Sequence, residues 1–506
     1  MSMPAEILQP DLTLQQLLAG FVDAPPLPIA GIADDSRQLQ AGDVFLAWQG
    51  AAAHGLEFTA AAIEAGATAV VWDADTGDAS LAVGDAAFFA VEGLAGHLGE
   101  IANRWYDCPS RAVKVIGVTG TNGKTTVASM VAQCLQKLGS PCAYIGTLGS
   151  GFNGVVKDLG MTTPPCLELQ RQLATFRDAG ASHVALEVSS HALVQGRVDG
   201  VQFDAVIFTN LSRDHIDYHG DMRAYGEAKA RLFTVCEARH RIISMDSEFG
   251  QELAGRCGSN VVTVSTRFDR VANGRPYVFV RSVVTTPVGS RVTINSSWGN
   301  GDIEISLPGD FNVANVVAVL ALLLNWNISF ADACEVVGQV KAPPGRMQIV
   351  AESEVGAVPT VFVDYAHTPA ALEAALRALR PHTKAKIWCV FGCGGDRDRG
   401  KRPQMGKIAR RLADRVIVTN DNPRSESPDK IMADILAGAD DGALAIENRA
   451  TAIARAIHDA EPGDVILIAG KGHEDYQLIA DERLDFSDYE VVRANINKRL
   501  KEAGDP

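Results

Sequence analysis

No stretch of this sequence is apolar for long enough to cross a bilayer. The longest clean run, residues 316–324, is bounded by Asn315 and Asn325, far short of the ~20 residues that a spanning helix needs. The opening ten residues hold Glu6 and no basic cluster, so a secretory signal is not expected. No CxxC pair occurs among the nine cysteines; Cys389 and Cys393 are the closest two. A dispersed odd number reads as free thiols in a reducing cytoplasm. Basic residues are in deficit: 46 Lys+Arg against 61 Asp+Glu leave a formal net charge of −15. Bulk charge therefore gives no support for nucleic acid or an anionic membrane as a partner, while a local basic pocket stays open. Internal repeats and low-complexity segments are missing too. What is there is an ordinary globular composition, 47% hydrophobic and 21% charged over 506 residues, enough for about three domains.

The order of signals along the chain predicts an α/β protein of three units. In the first, Asp35-Ser36-Arg37 precedes a short strand at 43–47. Residues 60–65 read as a helix ended by Gly66, and 69–72 as a buried strand. The second unit starts at the strand 113–118, followed by a Gly-rich turn. The helix after it carries Val127, Val131, Cys134, Leu135 and Leu138 on one face. Strands at 183–188 and 205–209 with helices between imply a parallel sheet covered on both faces. The texture turns β-rich at 277–280, 291–294 and 303–305. After Ala342-Pro343-Pro344-Gly345, strands at 361–363, 387–391, 416–418 and 465–468 alternate with helical segments, a doubly wound, Rossmann-like pattern. The expected domains are 1–110, mixed α/β; 111–342, a parallel-sheet domain with an added β-rich segment; and 343–506, the Rossmann-like one.

The strongest local signal is Gly117-Val118-Thr119-Gly120-Thr121-Asn122-Gly123-Lys124-Thr125-Thr126. It lies between a strand and a helix, as a phosphate loop must. Glycines let backbone N–H groups turn toward phosphate oxygens, and the helix N-terminus adds a favourable dipole. Lys124 can reach the β- and γ-phosphates, and the Thr125 hydroxyl can ligate Mg²⁺. The strict pattern wants glycine where Val118 stands, so the loop is a variant. No Asn-Lys-x-Asp guanine signature accompanies it. By itself the loop predicts nucleoside triphosphate binding without separating a ligase from a kinase or a motor.

Glu187 ends an apolar strand, facing the crevice where such sheets bind ligands; it reads equally as a cation ligand or as structure. The run Asn210-Leu211-Ser212-Arg213-Asp214-His215-Ile216-Asp217-Tyr218-His219 is rich in metal ligands. His215 is taken over His219, although the run hardly separates them. Lys229, on the next helix, would on its neighbours alone be a solvated lysine.

Together with Thr162-Thr163-Pro164, Gly309-x-Phe311-Asn312, Pro344-Gly345-Arg346-Met347, Asp364-Tyr365-Ala366-His367, Gly394-Gly395-Asp396-Arg397, Asp421-Asn422-Pro423-Arg424 and Gly470-Lys471-Gly472-His473-Glu474, these motifs form an ordered set over essentially the whole chain. It resembles the Mur ligase family, ATP-dependent amino-acid ligases of peptidoglycan precursor synthesis, and within it the diaminopimelate-adding members. The resemblance implies a UDP-sugar-binding N-terminal domain, a central ATP-binding domain and a C-terminal domain that brings the amino acid. ATP would phosphorylate the D-glutamate side-chain carboxylate of UDP-N-acetylmuramoyl-L-alanyl-D-glutamate, and the amine of meso-diaminopimelate would attack the acyl phosphate.

Carried over position by position, the resemblance gives Lys124, Lys229, His215 and Glu187 catalytic roles. Residues 120–126 (Gly120, Thr121, Asn122, Gly123, Lys124, Thr125, Thr126) with Asn312, Arg346 and Asp364 would bind ATP. Ser36, Thr162, Thr163, Ser189, Gln195 and Arg197 would meet the UDP-sugar. Arg397, Asp421, Asn422, Pro423, Arg424, Gly470 and Glu474 would hold diaminopimelate. Thr125, Glu187, His215 and Lys229, the last as the N6-carboxylysine carbamate, would surround Mg²⁺. The loop at Ala51-Ala52-Ala53-His54 departs from relatives with His-Gln-Ala before an acidic residue, so side-chain contacts to the uridine pyrophosphate are expected to be lost there. A cytoplasmic monomer with no nucleic-acid or membrane partner is expected. Arg424 argues for diaminopimelate over lysine, since a planar cationic fork suits the extra carboxylate. Competing readings are a lysine-adding relative, a folylpolyglutamate-synthase-like ligase and a nucleotide-gated binding module without catalysis.

Overall fold

The computed structural model describes residues 12–50, 53–82, 84–153, 155–157, 160–267, 274–286, 289–351, 358–439, 442–480 and 482–504. The opening ten residues and Ala51-Ala52 lie outside them. The chain forms two compact units, Met1–Thr263 and Val264–Pro506.

The first unit begins with a four-stranded parallel sheet, Gly31–Ala33, Asp43–Ala47, Ala69–Asp73 and Ala87–Val91. Alternation sends its side chains to opposite faces. Val44, Leu46 and Val71 pack with Leu14, Leu17 and the helix Leu94–Trp105; Phe45, Ala47 and Val70 pack with Leu56 and Ala62. A larger sheet follows. Its parallel strands Ala238–Ser244, Phe203–Phe208, Lys114–Thr119, His183–Glu187 and Cys142–Gly146 lie side by side in that order. The antiparallel strand Gly149–Phe152 is added next to the last. In the central strand, Val115, Ile116 and Val118 are fully buried, as expected of a parallel strand covered on both faces. The following helix, Lys124–Lys137, buries Val127, Val131, Cys134 and Leu135. Leu138, placed on the same face by spacing, is its half-buried C-cap.

The second unit opens with an antiparallel meander, Tyr277–Thr286, Gly289–Ser296 and Gly299–Ile305. The helix Asp310–Asn325 takes up the longest apolar run. A six-stranded sheet then runs in the order Gln348–Ala351, Thr360–Asp364, Val465–Ala469, Ile387–Phe391, Arg415–Val418, Ala443–Ala445, parallel except for the first. Cys389 and Phe391 face Leu372, Met405 and Ile431 on one layer of helices. Trp388 and Val390 face Ile453, Ile457 and Val492 on the other. That is the doubly wound arrangement, which gathers the loops after its strands at one edge. Among the described residues no helix is long and apolar enough to cross a membrane.

Candidate active site

The phosphate loop caps the strand Lys114–Thr119. Gly120 has φ +150°, and a Cβ there would sit 1.9 Å from Thr209 Oγ1, so only glycine lets the two loops touch. Thr209 Oγ1 donates to Asn122 O at 2.6 Å, and Asn122 N donates to Asn210 Oδ1 at 3.0 Å. Thr121 Oγ1 donates to Ser212 O at 3.1 Å and accepts from Ser212 N at 2.9 Å. The loop is thus braced by the polar run after the strand Phe203–Phe208. Lys124 Nζ folds back onto the carbonyls of Gly120 (2.9 Å) and Thr121 (3.0 Å).

Glu187 is fully buried at the end of its strand. Oε2 accepts from Thr125 Oγ1 at 2.9 Å and Thr147 Oγ1 at 3.2 Å. Oε1 accepts from Thr147 N at 2.9 Å and from the Tyr144 hydroxyl. Thr125 and Glu187, expected to share a cation, therefore do meet, and their oxygens are the donor type that a hard cation selects.

Lys229 is 1% exposed, which removes the solvated-lysine reading. Its Nζ donates to Gly120 O at 2.9 Å, the carbonyl that Lys124 also uses, and lies 4.3 Å from the Tyr225 ring centroid. Burial, then the neighbouring Lys124 ammonium, hold its pKa well below the ordinary lysine value. His215 lies elsewhere in this cluster. It has φ +51°, and its ring packs on His191 at 4.9 Å and on Tyr225 at 6.0 Å. His219 Nε2 bonds Ser190 Oγ at 2.9 Å. Burial lowers the pKa of His191 and His219, with the adjacent His215 adding to it. Among the described residues no three His, Cys, Asp or Glu side chains converge as a metal cluster; of the four expected ligands, only Glu187 and His215 are of those types. Tyr225 stands between His215 and Lys229.

A cavity of about 1310 Å³ opens in the same unit, lined by Ser36, Gln195 and Arg197 among the expected UDP-sugar residues. Thr162, Thr163 and Ser189 are not in its wall but connect to it. Arg197 Nη1 donates to Thr163 O (2.8 Å), Thr163 Oγ1 donates to Glu187 O (2.8 Å), and Ser189 N donates to Thr163 Oγ1 (3.1 Å). Thr162 Oγ1 pairs with Thr147 Oγ1 at 3.1 Å. Arg37, from the Asp35-Ser36-Arg37 motif, and Lys157, Arg171, Trp48 and Phe58 also line the cavity; nothing in the spacing of the last four marked them. From the departing loop, Gly50, Ala53 and Gly55 contribute, while His54 caps the turn Gly55–Phe58.

In the second unit, Asn312 is buried and spends its amide on Pro308 O at 2.8 Å. Asp364 accepts from Met347 N (2.7 Å) and Ala366 N (2.8 Å); burial raises its pKa, with Arg346 opposing. The Arg346 guanidinium lies 4.4 Å from the Tyr365 ring centroid. The expected amino-acid residues gather where the strands Ile387–Phe391, Arg415–Val418 and Val465–Ala469 end. Arg424, at φ +52°, donates from Nη1 to Gly395 O at 2.9 Å and to Asn422 O at 3.4 Å. A Cβ on Gly394 would lie 2.9 Å from Arg424 Nη1 and 3.8 Å from Arg397 Cγ, so the two arginines flank that glycine. Asn422 Nδ2 donates to Glu474 Oε2 at 2.8 Å. Gly470, at φ +119°, would bring a Cβ to 2.5 Å from Asp421 Oδ2, which keeps the residue small. Pro423 O accepts from Glu426 N at 3.1 Å.

Three family models match in succession: "Mur ligase family, catalytic domain" over residues 28–106, "Mur ligase middle domain" over 118–323 and "Mur ligase, glutamate ligase domain" over 345–472. The chain belongs to the Mur ligase family. A relative from Ectopseudomonas mendocina (strain ymp), named UDP-N-acetylmuramoyl-L-alanyl-D-glutamate–2,6-diaminopimelate ligase, is 46% identical over 464 residues, 91% of this chain and 93% of that one. A Pseudomonas aeruginosa protein of the same name is 46% identical over 459 residues, 90% of this chain and 92% of that one. A solved structure titled as that ligase superposes with a TM-score of 0.71 at 32% identity, covering 97% of this chain and 100% of that one.

Within this Mur ligase, sequence reasoning passed over three buried cations beside the expected amino-acid residues. Lys471 bonds Asn422 and Glu474. Arg402 holds Glu426, which accepts from Asp396 N at 2.6 Å. Arg449 pairs with Asp488 and donates to Asn420 O (3.2 Å) and Ala469 O (3.0 Å). The available signal was weak: a basic residue between glycines after a strand for Lys471, and none for Arg449.

Proposed function

We propose that the chain is an ATP-dependent ligase that joins meso-2,6-diaminopimelate to the D-glutamate side-chain carboxylate of UDP-N-acetylmuramoyl-L-alanyl-D-glutamate, as a step of cytoplasmic peptidoglycan precursor synthesis. The carrying observation is the loop cluster of Arg424, Asn422 and Glu474. It sets a guanidinium fork beside an acidic and amide group, complementary to an amino acid with a carboxylate at its far end. The names of the relatives support the same substrates. We assign residues 1–110 to the UDP-sugar, 111–342 to ATP and 343–506 to the amino acid, a division supported by the three successive family segments.

In the first step the substrate carboxylate oxygen attacks the γ-phosphorus of ATP; the bond to the bridging oxygen breaks and ADP leaves. The neutral amine of diaminopimelate then attacks the acyl carbon, loses a proton, and phosphate departs as the amide forms. This chain's part is positioning and charge neutralisation. Lys124 and the backbone amides of 120–126 meet the phosphates. Asn312, Arg346 and Asp364 are further proposed ATP residues. Ser36, Thr162, Thr163, Ser189, Gln195 and Arg197 orient the UDP-sugar. Mg²⁺ fits Thr125 Oγ1 and the buried Glu187 carboxylate, and when bound neutralises phosphate charge. His215 is the proposed further ligand over His219, whose Nε2 is engaged with Ser190 Oγ at 2.9 Å.

We assign Lys229 as a carbamate. Its amine is held toward the neutral form and so is nucleophilic. The nitrogen bonds the carbon of CO₂ and loses a proton to solvent, which sets a negative charge beside the Lys124 ammonium. The test of the function is phosphate release by the purified chain. Turnover should require ATP, UDP-N-acetylmuramoyl-dipeptide and diaminopimelate together. Release without the UDP-sugar, or equal rates with L-lysine, would refute it.

A further inference from the structure

We propose that Lys471 is a positioning residue of the amino-acid site, orienting Glu474 and Asn422 so that one carboxylate oxygen is presented to a substrate ammonium. The proposal rests on the assignment of Asp421, Asn422, Arg424 and Glu474 to diaminopimelate. Lys471 is fully buried, with side-chain exposure of 0% against 16% for Glu474. Its Nζ donates to Asn422 Oδ1 at 3.0 Å and to Glu474 Oε2 at 2.9 Å. The Tyr476 ring centroid lies 5.4 Å from the ammonium. A buried ammonium is costly unless paired and hydrogen-bonded, and this one is satisfied by two residues of the proposed site.

The consequence is geometric. Asn422 Oδ1 accepts from both Lys471 Nζ and Leu478 N, each at 3.0 Å. Its amide therefore has one sensible orientation, with Nδ2 donating to Glu474 Oε2 at 2.8 Å. Glu474 Oε2 thus meets two donors, one of them charged, which pins the carboxylate and holds its charge in place. Oε1 is the oxygen to which an ammonium of the amino acid donates. Lys471 makes no contact with substrate in this arrangement; it acts through its two neighbours.

The experiment measures initial rates of the full chain with each of the three substrates varied. Lys471→Met keeps the unbranched stem to Cε and removes the charged terminal donor. The KM for diaminopimelate should rise about 10- to 100-fold, the loss of one or two charge-assisted bonds. The KM values for ATP and the UDP-sugar should stay within about twofold and kcat within about threefold. A rise in all three KM values together, or an unchanged diaminopimelate KM, overturns the proposal. Should the single variant not fold, Glu474→Gln is compared with Lys471→Met/Glu474→Gln. The two should share their diaminopimelate KM within about threefold, because Lys471 then has no carboxylate to orient; a further tenfold rise overturns it. Wild-type enzyme that turns over without diaminopimelate would instead defeat the substrate assignment on which the proposal rests.

Discussion

Replacing Arg424 tests the choice of amino acid most directly. Its Nη1 is spent on the carbonyls of Gly395 (2.9 Å) and Asn422 (3.4 Å), so in the proposed site the Nε–Nη2 edge would meet the carboxylate side-on. Two charge-assisted bonds at about 1.5–3 kcal/mol each, reduced because the side chain is half-buried, give about 2–4 kcal/mol. At 1.4 kcal/mol per decade that is about 30- to 700-fold in kcat/KM for diaminopimelate. The far carboxylate takes no part in bond making, so the contact is equal in ground and transition states, and the loss falls on KM with kcat near normal. L-Lysine has no carboxylate there and leaves the guanidinium unpaired. Arg424→Ala should therefore shrink the preference for diaminopimelate over lysine by the same factor. Arg424→Lys, with a point charge instead of a fork, should fall between the two. A coupled ADP-release assay with both amino acids measures all of this. If the KM for ATP rises in step, or if the preference survives in Arg424→Ala, the substrate carboxylate is not on this residue.

Three further outcomes follow from other parts of the molecule. Intact mass of fresh protein in bicarbonate near neutral pH should exceed the sequence mass by one CO₂, acid should erase the increment, and Lys229→Met should never show it; an increment that persists in Lys229→Met refutes the assignment. Arg449 and Asp488 form a fully buried pair with bonds of 2.7 Å, so Arg449→Met should cost about 3–5 kcal/mol in urea unfolding of the second unit's transition, and a loss below about 1 kcal/mol would refute the pairing argument. Burial lowers the His183 pKa from 6.5 to about 4, with Lys114 adding to it and Asp204 opposing. The unfolded chain then takes up that proton first. Stability should be intact above pH 6.5 and decline as pH falls toward about 4, and the decline should flatten in His183→Gln; equal slopes in both proteins would show that the group does not matter.

The strands were legible because burial on both faces leaves an apolar run with turn residues at its ends. Ile387–Phe391 has its predicted bounds, Lys114–Thr119 is shifted from expectation by one residue at each end, and His183–Glu187 is one residue shorter at its C-terminal end. Strands such as Gly31–Ala33 and Ala87–Val91 were passed over: both are only partly buried, and the first is three residues long. The helix after the phosphate loop had its inward face right, because i, i+4, i+7 spacing fixes a face whatever lies against it. The site was legible where chemistry dictates local sequence, as in residues 117–126. It was illegible where a side chain from a distant segment completes it. Tyr144 reaches Glu187 over 43 positions and Lys229 reaches Gly120 over 109, and no pattern of spacing encodes such pairs.

The four buried lysine and arginine side chains among the described residues make a stronger argument about chemistry than the net charge of −15 does. Arg402, Arg449 and Lys471 each have a carboxylate within 2.9 Å, from Glu426, Asp488 and Glu474 respectively. Each is therefore neutralised inside the fold, which is what burial of a cation requires. Lys229 is equally buried, yet among the described residues no carboxylate lies within ion-pair distance of it. Its neighbours are the Gly120 carbonyl, the Tyr225 ring and a second ammonium, Lys124; Asp214 acts only from farther off. A structural lysine in that position would be selected against, because methionine or leucine would fill the space at no electrostatic cost. The exception makes sense if the resting group is not an ammonium. As a neutral amine it would accept CO₂, and the proposed carbamate would set a negative charge beside the Lys124 ammonium.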